Sequence, residues 1–324
     1  MSLLTLFGSR GRTYRTDFSS LAGWTTEAGT LAPGLQASAL ADWLGNLVPN
    51  GEFTTDTTGW VTFTLKASVV VDSAVEPGVV SPGTDSSVVK ATSAGGTGSF
   101  LRHNFLGRVI DARFRYGGYV YKTPGTTSPV IYLGGYTLSP SADNTWQALS
   151  ETRSTLNATY YYRPGTIEND VGYFDGAFIY RQNAVALSPH RQSNGVWTWT
   201  LTQPAAPSVV PFSMLLRYSD ALNYWEVRTK PNTAATDLEI VEVNAGVETV
   251  RASADVDWTD GGTDGVRITA RSTTITVDSD KGNTGTWTQQ ATYASATHNA
   301  TANQYGAMLW GTSTNRATAL GVTP

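Results

Sequence analysis

FSMLLRYSDALNYWEVRT, residues 212–229, decides the fold class. Apolar side chains recur at every second position on both sides of a short polar break, and a period of two is the mark of strands with one face on a core. The pattern continues outward from this stretch. VWTWTL at 196–201 precedes it, and DLEIVEVNAG at 237–246, VETVRASADV at 247–256, GVRITARSTTITVDSD at 265–280 and QYGAMLWGTS at 304–313 follow. Asn-Ala-Gly at 244–246 and Asp-Gly-Gly at 260–262 supply tight turns of the kind that joins antiparallel strands. The C-terminal part is therefore predicted to be an antiparallel β-sandwich.

A second series lies upstream. SSVVKAT, FLRHNF, VIDARFRYGGYVYK, PVIYLGGYTL, TWQALSETRS, ATYYYRP and GYFDGAFIYR follow one another between residues 86 and 181, and with the strand opened by Trp60 they make about eight or nine strands, the count of a jelly roll. The N-terminal segment 14–38 reads as two short strands around turns, and ALADWLGN at 39–46 is the one stretch predicted as a helical turn. A chain of 324 residues exceeds the usual single domain. The expected fold is all-β, with two antiparallel β-sandwich (jelly-roll) domains.

Composition narrows the function. Charged residues make up 15% of the chain and the formal net charge is −4; with no block of Lys or Arg, the electrostatic footprint of nucleic-acid binding is missing. The absence of cysteine removes disulfides, thiolate catalysis and Cys-based zinc sites together. No run of about 18 apolar residues marks a membrane span. In MSLLTLFGSRGRTYR at 1–15, Gly and Arg interrupt the apolar run, so no secretory signal is expected.

NLVPNGEFTTDTTGW at 46–60, followed by SSVVKAT and closed by VGYFDGAFIYR at 171–181, resembles the jelly-roll carbohydrate-binding modules of families 4 and 9. The resemblance covers about residues 46–182 and implies a structural calcium ion between the opening loop and the last strand, held by the hard oxygen ligands calcium requires. Asp175 matches the last-strand ligand; Thr54 stands where an acidic residue usually follows the opening Phe, leaving Glu52 or Asp56 as substitutes. The second half is similar to the concanavalin A-like, laminin-G-type sandwiches of secreted and phage adhesins, on the match of Arg217, Tyr218, Asp220, Asn223, Tyr224 and Trp225. Such sandwiches open with an Asp-Phe and a Gly-Trp strand, and TDFSSLAGWTTEAGT at 16–30 fits that opening. The resemblance implies a nested chain: an arm at 1–15, a laminin-G-like sandwich from 16–45 plus 184–324, and the carbohydrate-module-like jelly roll of 46–183 inserted into it. A free arm followed by two sequential domains is the alternative.

A glycosidase needs two carboxylates flanking a sugar, and Glu151, Glu168, Asp170, Asp175, Glu226, Glu239 and Glu242 are available. Several alternate with apolar residues, which predicts solvent-facing positions on half-buried strands. His103, His190 and His298 are scattered without metal-pair spacing, and neither Gly-x-Ser-x-Gly nor a phosphate loop is present; no enzymatic activity and no required cofactor are expected. Sugars stack their C–H faces on aromatic rings while polar groups hold the hydroxyls. Tyr119 with Tyr121, and Tyr160 with Tyr162, share faces by alternation, and with Trp146 they form the candidate glycan platform, complemented by Arg102, Gln147, Arg163 and Asn104. One face of each strand must also build the core, and the pattern leaves open which face does so. Trp60, Trp197, Trp199 and Trp225 are expected in the core.

Modular sandwiches, no cysteine and no export signal resemble phage tail, fibre or head-decoration subunits. That resemblance implies a virion location, contacts with other virion proteins, binding to host-surface polysaccharide, and symmetric homo-oligomers. A purely architectural subunit and a glycan-active enzyme are the alternatives.

Overall fold

The computed structural model describes residues 14–18, 20–32, 35–43, 48, 53, 60–63, 65–71, 87–96, 99–104, 112–155, 159–203, 205, 211–230, 236–310 and 316–324. Backbone contacts divide the chain into two compact units, a split unit of residues 1–44 with 182–324 and a central unit of residues 45–181. Both are built from antiparallel strands, and the fold is all-β.

The first strands of the split unit are β1 (Tyr14–Thr16), β2 (Thr25–Ala28), β3 (Thr30–Ala32), β4 (Gln36–Ala39) and β5 (Ala41–Trp43). Two expectations are corrected here. Tyr14 and Arg15, assigned to a terminal arm, pair with Val322 and Gly321 at the edge of a sheet. The segment predicted as a helical turn is extended instead, because an isolated turn of helix is costly to nucleate whereas β5 gains a strand partner and buries Trp43, whose indole N–H donates to the Tyr224 hydroxyl at 3.4 Å.

The central unit contains β6 (Val61–Phe63), β7 (Leu65–Val71), β8 (Ser87–Ala94), β9 (Phe100–Asn104), β10 (Ala112–Lys122), β11 (Val130–Leu133), β12 (Tyr136–Leu138), β13 (Trp146–Thr155), β14 (Thr159–Arg163) and the first part of β15 (Glu168–Arg191). One sheet runs β12-β11-β14-β9-β6, and the other sets β10 between β13 and β15, with β8 and β7 beyond. Large rings fill the core. Trp60 stacks on Tyr162 at 5.7 Å between centroids, and Tyr162 stacks on Phe174 at 4.2 Å. The Tyr160 hydroxyl donates to the Gly117 carbonyl at 2.7 Å. Gly117 and Gly118 are thin because both of their faces are occupied: a Cβ on Gly118 would meet the Tyr162 hydroxyl at 2.4 Å, and one on Gly117 would meet the Phe178 ring at 2.8 Å.

The rest of the split unit follows as β16 (Gly195–Thr202), β17 (Phe212–Asp220), β18 (Asn223–Thr229), β19 (Leu238–Asn244), β20 (Val247–Ala254), β21 (Thr263–Arg271), β22 (Thr274–Asp280), β23 (Thr288–Tyr293), β24 (Gln304–Leu309) and β25 (Arg316–Thr323). One sheet has the order β1-β25-β16-β21-β22-β23, and the other runs from the second part of β15 through β24-β17-β18-β19-β20. Between them lie Trp197, Trp199, Trp225, Phe212, Leu216, Val227, Ile240, Ile268 and Phe18, so these tryptophans are core, as is Trp60 in the central unit. A bulge in β17 puts Arg217 at φ 47°. Its buried guanidinium donates to the carbonyls of Ala296 at 2.7 Å and Ser272 at 2.5 Å and to the side chain of Asn194 at 3.2 Å, tying three connections to the sheet.

Strands β17 to β19 are buried on both faces. On the face away from Trp197, Trp199 and Trp225, Arg228 binds Glu226 through two nitrogens at 2.9 and 3.0 Å, Glu248 at 3.1 Å and Glu239 at 3.5 Å, while Lys230 holds Glu239 at 2.6 Å. Arg228 also lies 4.3 Å over the Trp310 ring. Ser213 accepts from the Trp310 indole N–H at 2.8 Å and donates to Glu226. Burial works against the Arg228 charge, and the carboxylates of Glu226, Glu248 and Glu239 outweigh it. The expectation of solvent-facing carboxylates is corrected for Glu226, Glu239, Glu242, Asp170 and Asp175, which are all buried; each has a donor in the fold, so alternation with apolar neighbours does not mark an exposed face here.

Two stability outcomes follow from this packing. Gly118→Ala should overpack the central core against Tyr162 and cost about 1–3 kcal/mol, seen as a lower urea midpoint; an unchanged midpoint would show that Tyr162 has room to move. Arg228→Met leaves Glu226 buried without its cation and should cost about 3–5 kcal/mol. Lys281→Met, at the exposed Lys281–Asp257 pair of 2.5 Å, should barely move the same midpoint. Equal effects would show that the Arg228 network gains nothing from its burial.

Candidate functional site

In β14, TYYYR, alternate residues go opposite ways. Tyr160 and Tyr162 are fully buried, whereas Tyr161 and Arg163 are half-buried on the outer face. The register extends that outer face across the sheet. Thr137 pairs with Tyr132, Tyr132 with Tyr161, Tyr161 with Arg102, and Arg102 with Val61. Cross-strand partners point to the same side, and strands lie about 4.8 Å apart, so this row is about 19 Å long.

The rings in the row form a ladder. Tyr132 stacks on Tyr161 at 4.2 Å between centroids with 13° between planes, and Phe100, on the far side of β14, approaches Tyr161 at 5.0 Å. Tyr161 thus has a ring on either side of it. Burial, then the neighbouring Tyr132 phenol, push the Tyr161 hydroxyl up, while the nearby Arg163 charge pulls it down. Arg163 stands two residues along β14 from Tyr161, and its buried Nε has no hydrogen-bond partner among the described residues. Val61 is 50% exposed at the other end of the row.

The predicted platform residues are divided between three places. Tyr160 and Tyr162 are core residues and are corrected as such, because the Trp60 stack and the Gly117 carbonyl occupy them. Arg102, grouped with them in the sequence, lies on the opposite face of the same sheet. Tyr119, Tyr121 and Trp146 sit on the other sheet; Tyr121 is corrected to buried, packed on Trp146 at 5.8 Å and on Tyr173 at 6.0 Å, with its hydroxyl donating to Asn144 at 3.3 Å. Tyr119 and Trp146 remain half-exposed. Gln147 pairs with Val120 in the next register position to Trp146 and uses its amide locally, accepting from the Ser141 N–H at 2.8 Å and donating to the Ala142 carbonyl at 2.7 Å. The Asn104 side chain lies outside the described residues. Tyr132, Tyr161 and Phe100 are the outward rings that alternation alone left unassigned.

Glu226 and Glu239 are paired with Arg228 and Lys230. For calcium, Glu52 and Asp56 lie outside the described residues. Asp175 is buried and accepts the Gly176 N–H at 2.7 Å. Among the described residues no group of three or more His, Cys, Asp or Glu side chains converges to hold a metal ion.

No family model matches the chain, and no curated protein matches it. Solved structures do. The carbohydrate binding module CBM66 from Bacillus subtilis aligns at 12% identity and a TM-score of 0.33, over 44% of this chain and 78% of that one. The exoplasmic/lumenal domain of VIP36 in a Ca2+/Man-bound form aligns at 9% identity and a TM-score of 0.33, over 44% of this chain and 72% of its own. The CBM22-1-CBM22-2 tandem domain of Paenibacillus barcinonensis Xyn10C aligns at 10% identity and a TM-score of 0.31, over 84% of this chain and 99% of its own. No site residue of this chain follows from these similarities.

Proposed function

We propose that this chain is a non-enzymatic glycan-binding protein whose contact surface is the outer face of the β12-β11-β14-β9-β6 sheet, and that it serves on the surface of a phage virion. The observation that carries the binding role is the Tyr132–Tyr161–Phe100 ladder, set on a hydrogen-bonded sheet beside Arg102 and Arg163. Aromatic side chains supply contact area at small conformational cost, and a rigid sheet keeps that area organised before the ligand arrives. A polysaccharide lying across the strands meets rings, phenol hydroxyls and guanidinium donors within one row of about 19 Å. The virion setting rests on the resemblance of 212–229 to phage adhesins and on the cysteine-free composition. Arrayed copies on a particle would convert weak single sites into strong attachment.

An array of glycans and host cell-wall fractions tests the binding role with the full chain. Tyr132→Ala combined with Tyr161→Ala should weaken retention at least tenfold, about 1.4 kcal/mol, with the circular dichroism spectrum unchanged. Tyr119→Ala combined with Trp146→Ala, on the other sheet, should leave retention intact. Loss of retention in the second pair alone would move the site to the other sheet, and no retention of any fraction by the parent chain would favour an architectural subunit. Mass spectrometry of purified particles tests the setting separately: absence of the chain from them removes the virion.

A further inference from the structure

We propose that the ladder face selects polysaccharides that carry an anionic group, a carboxylate or a phosphate, over neutral ones; this rests on the glycan-binding role proposed above and specifies its ligand. Three observations point the same way. The first is charge. The chain as a whole is acidic, with 26 Asp and Glu against 22 Lys and Arg, yet the outward positions Val61, Phe100, Arg102, Val130, Tyr132, Thr137, Tyr161 and Arg163 contain two guanidinium groups and no carboxylate. Positive charge placed on an acidic protein draws an anion toward that face.

The second observation is the state of Arg163. Its Nε is shielded from water without a hydrogen-bond partner among the described residues, a condition that leaves binding capacity unused inside the protein. A planar guanidinium fork matches a carboxylate or a phosphate with two parallel hydrogen bonds. The third is ring orientation. Because Tyr161 is enclosed by Tyr132 at 4.2 Å and Phe100 at 5.0 Å, its ring faces are spent within the protein and its edge is what a ligand meets. Ring edges carry the positive part of the aromatic quadrupole, so the edge favours oxygen anions. Neutral sugars, which bind aromatic sites through ring faces, find fewer of those here.

The test uses the full chain with four polymers: polygalacturonate, the same polymer methyl-esterified, a polyglycerol phosphate, and a neutral β-glucan. Affinity electrophoresis or calorimetry at about 50 mM salt should show at least tenfold tighter binding of one or both anionic polymers than of the ester and the glucan, a preference that shrinks as salt screens the charges. Whichever anionic polymer is retained identifies the group. Arg163→Gln should bring anionic binding down to the level that the same variant shows for the ester, and Arg163→Lys should keep part of the preference through its point charge. Equal binding of anionic and neutral polymers, or a preference that survives Arg163→Gln, overturns the inference while leaving the glycan-binding role in place. No binding to any of the four overturns that role itself.

Discussion

The contact between Tyr162 and Gly118 sets the direction of everything on the β12-β11-β14-β9-β6 sheet. Tyr162 has Trp60 stacked on it at 5.7 Å and Phe174 at 4.2 Å, and its hydroxyl rests where a Cβ of residue 118 would be. A strand has only two faces, so one anchored ring decides the orientation of every residue along it. With Tyr162 inward, Tyr160 must be inward and Tyr161 and Arg163 outward, and pairing then turns Arg102, Tyr132 and Thr137 outward with them. The same constraint explains the Gly-Gly pair in the middle of β10. Glycine weakens a strand by its entropy, and that cost is accepted where rings on both sides require a strand without side chains.

The split unit meets a different constraint, since its β17 to β19 strands are buried on both faces. A sheet of that kind is usually apolar throughout. Here one face is apolar and the other holds charges that are matched inside the protein: Arg228 and Lys230 against Glu226, Glu239 and Glu248. Desolvating such a set costs more than an apolar replacement would, and its geometry is satisfied only in one strand register, because Arg228 must lie opposite Glu239. Arg217 acts alike within β17, where a positive-φ bulge turns a guanidinium onto the carbonyls of Ala296 and Ser272. Buried cations in this unit therefore fix alignment, while its tryptophans supply the apolar area.

How much of this was legible in the sequence depended on whether the information was periodic or relational. Period-two alternation in 196–201 and 212–229 was enough for strands and for a core of Trp197, Trp199 and Trp225, which are buried in the structure. The same alternation could not choose between the two faces of TYYYR, since a tyrosine is acceptable on either, and choosing Tyr160 with Tyr162 put the platform in the core. The deciding fact, that Tyr162 lies opposite Leu101 and Ile131, belongs to the strand pairing. FLRHN carried a usable hint: Leu101 and Arg102 have unambiguous preferences, and pairing them with β14 would have turned Tyr161 outward. Glu226 and Glu239 misled in the opposite sense, because a carboxylate between apolar residues looks solvent-facing until its partner, two residues away at Arg228, is seen to be buried beside it. ALADWLGN failed as a helical turn because a partner strand, absent from any local window, was available to it.

The two kinds of charge in this protein are treated in opposite ways, and the contrast bears on function. In the split unit, buried cations are saturated: Arg228 meets three carboxylates and Arg217 meets carbonyl and amide oxygens. A fold able to supply such partners leaves Arg163 with a shielded nitrogen unpartnered among the described residues, on a face whose outward positions contain no carboxylate. Leaving a donor unmet costs stability, and an acceptor brought by a ligand offsets that cost. The strand that bears Arg163 is anchored through Tyr160 and Tyr162, which holds the backbone beneath the donor in place. Rigid placement of an unsatisfied cation beside ring edges is the arrangement expected of a surface that recognises a charged partner, and it is distinct from the saturated ion pairs that align the strands of the other unit.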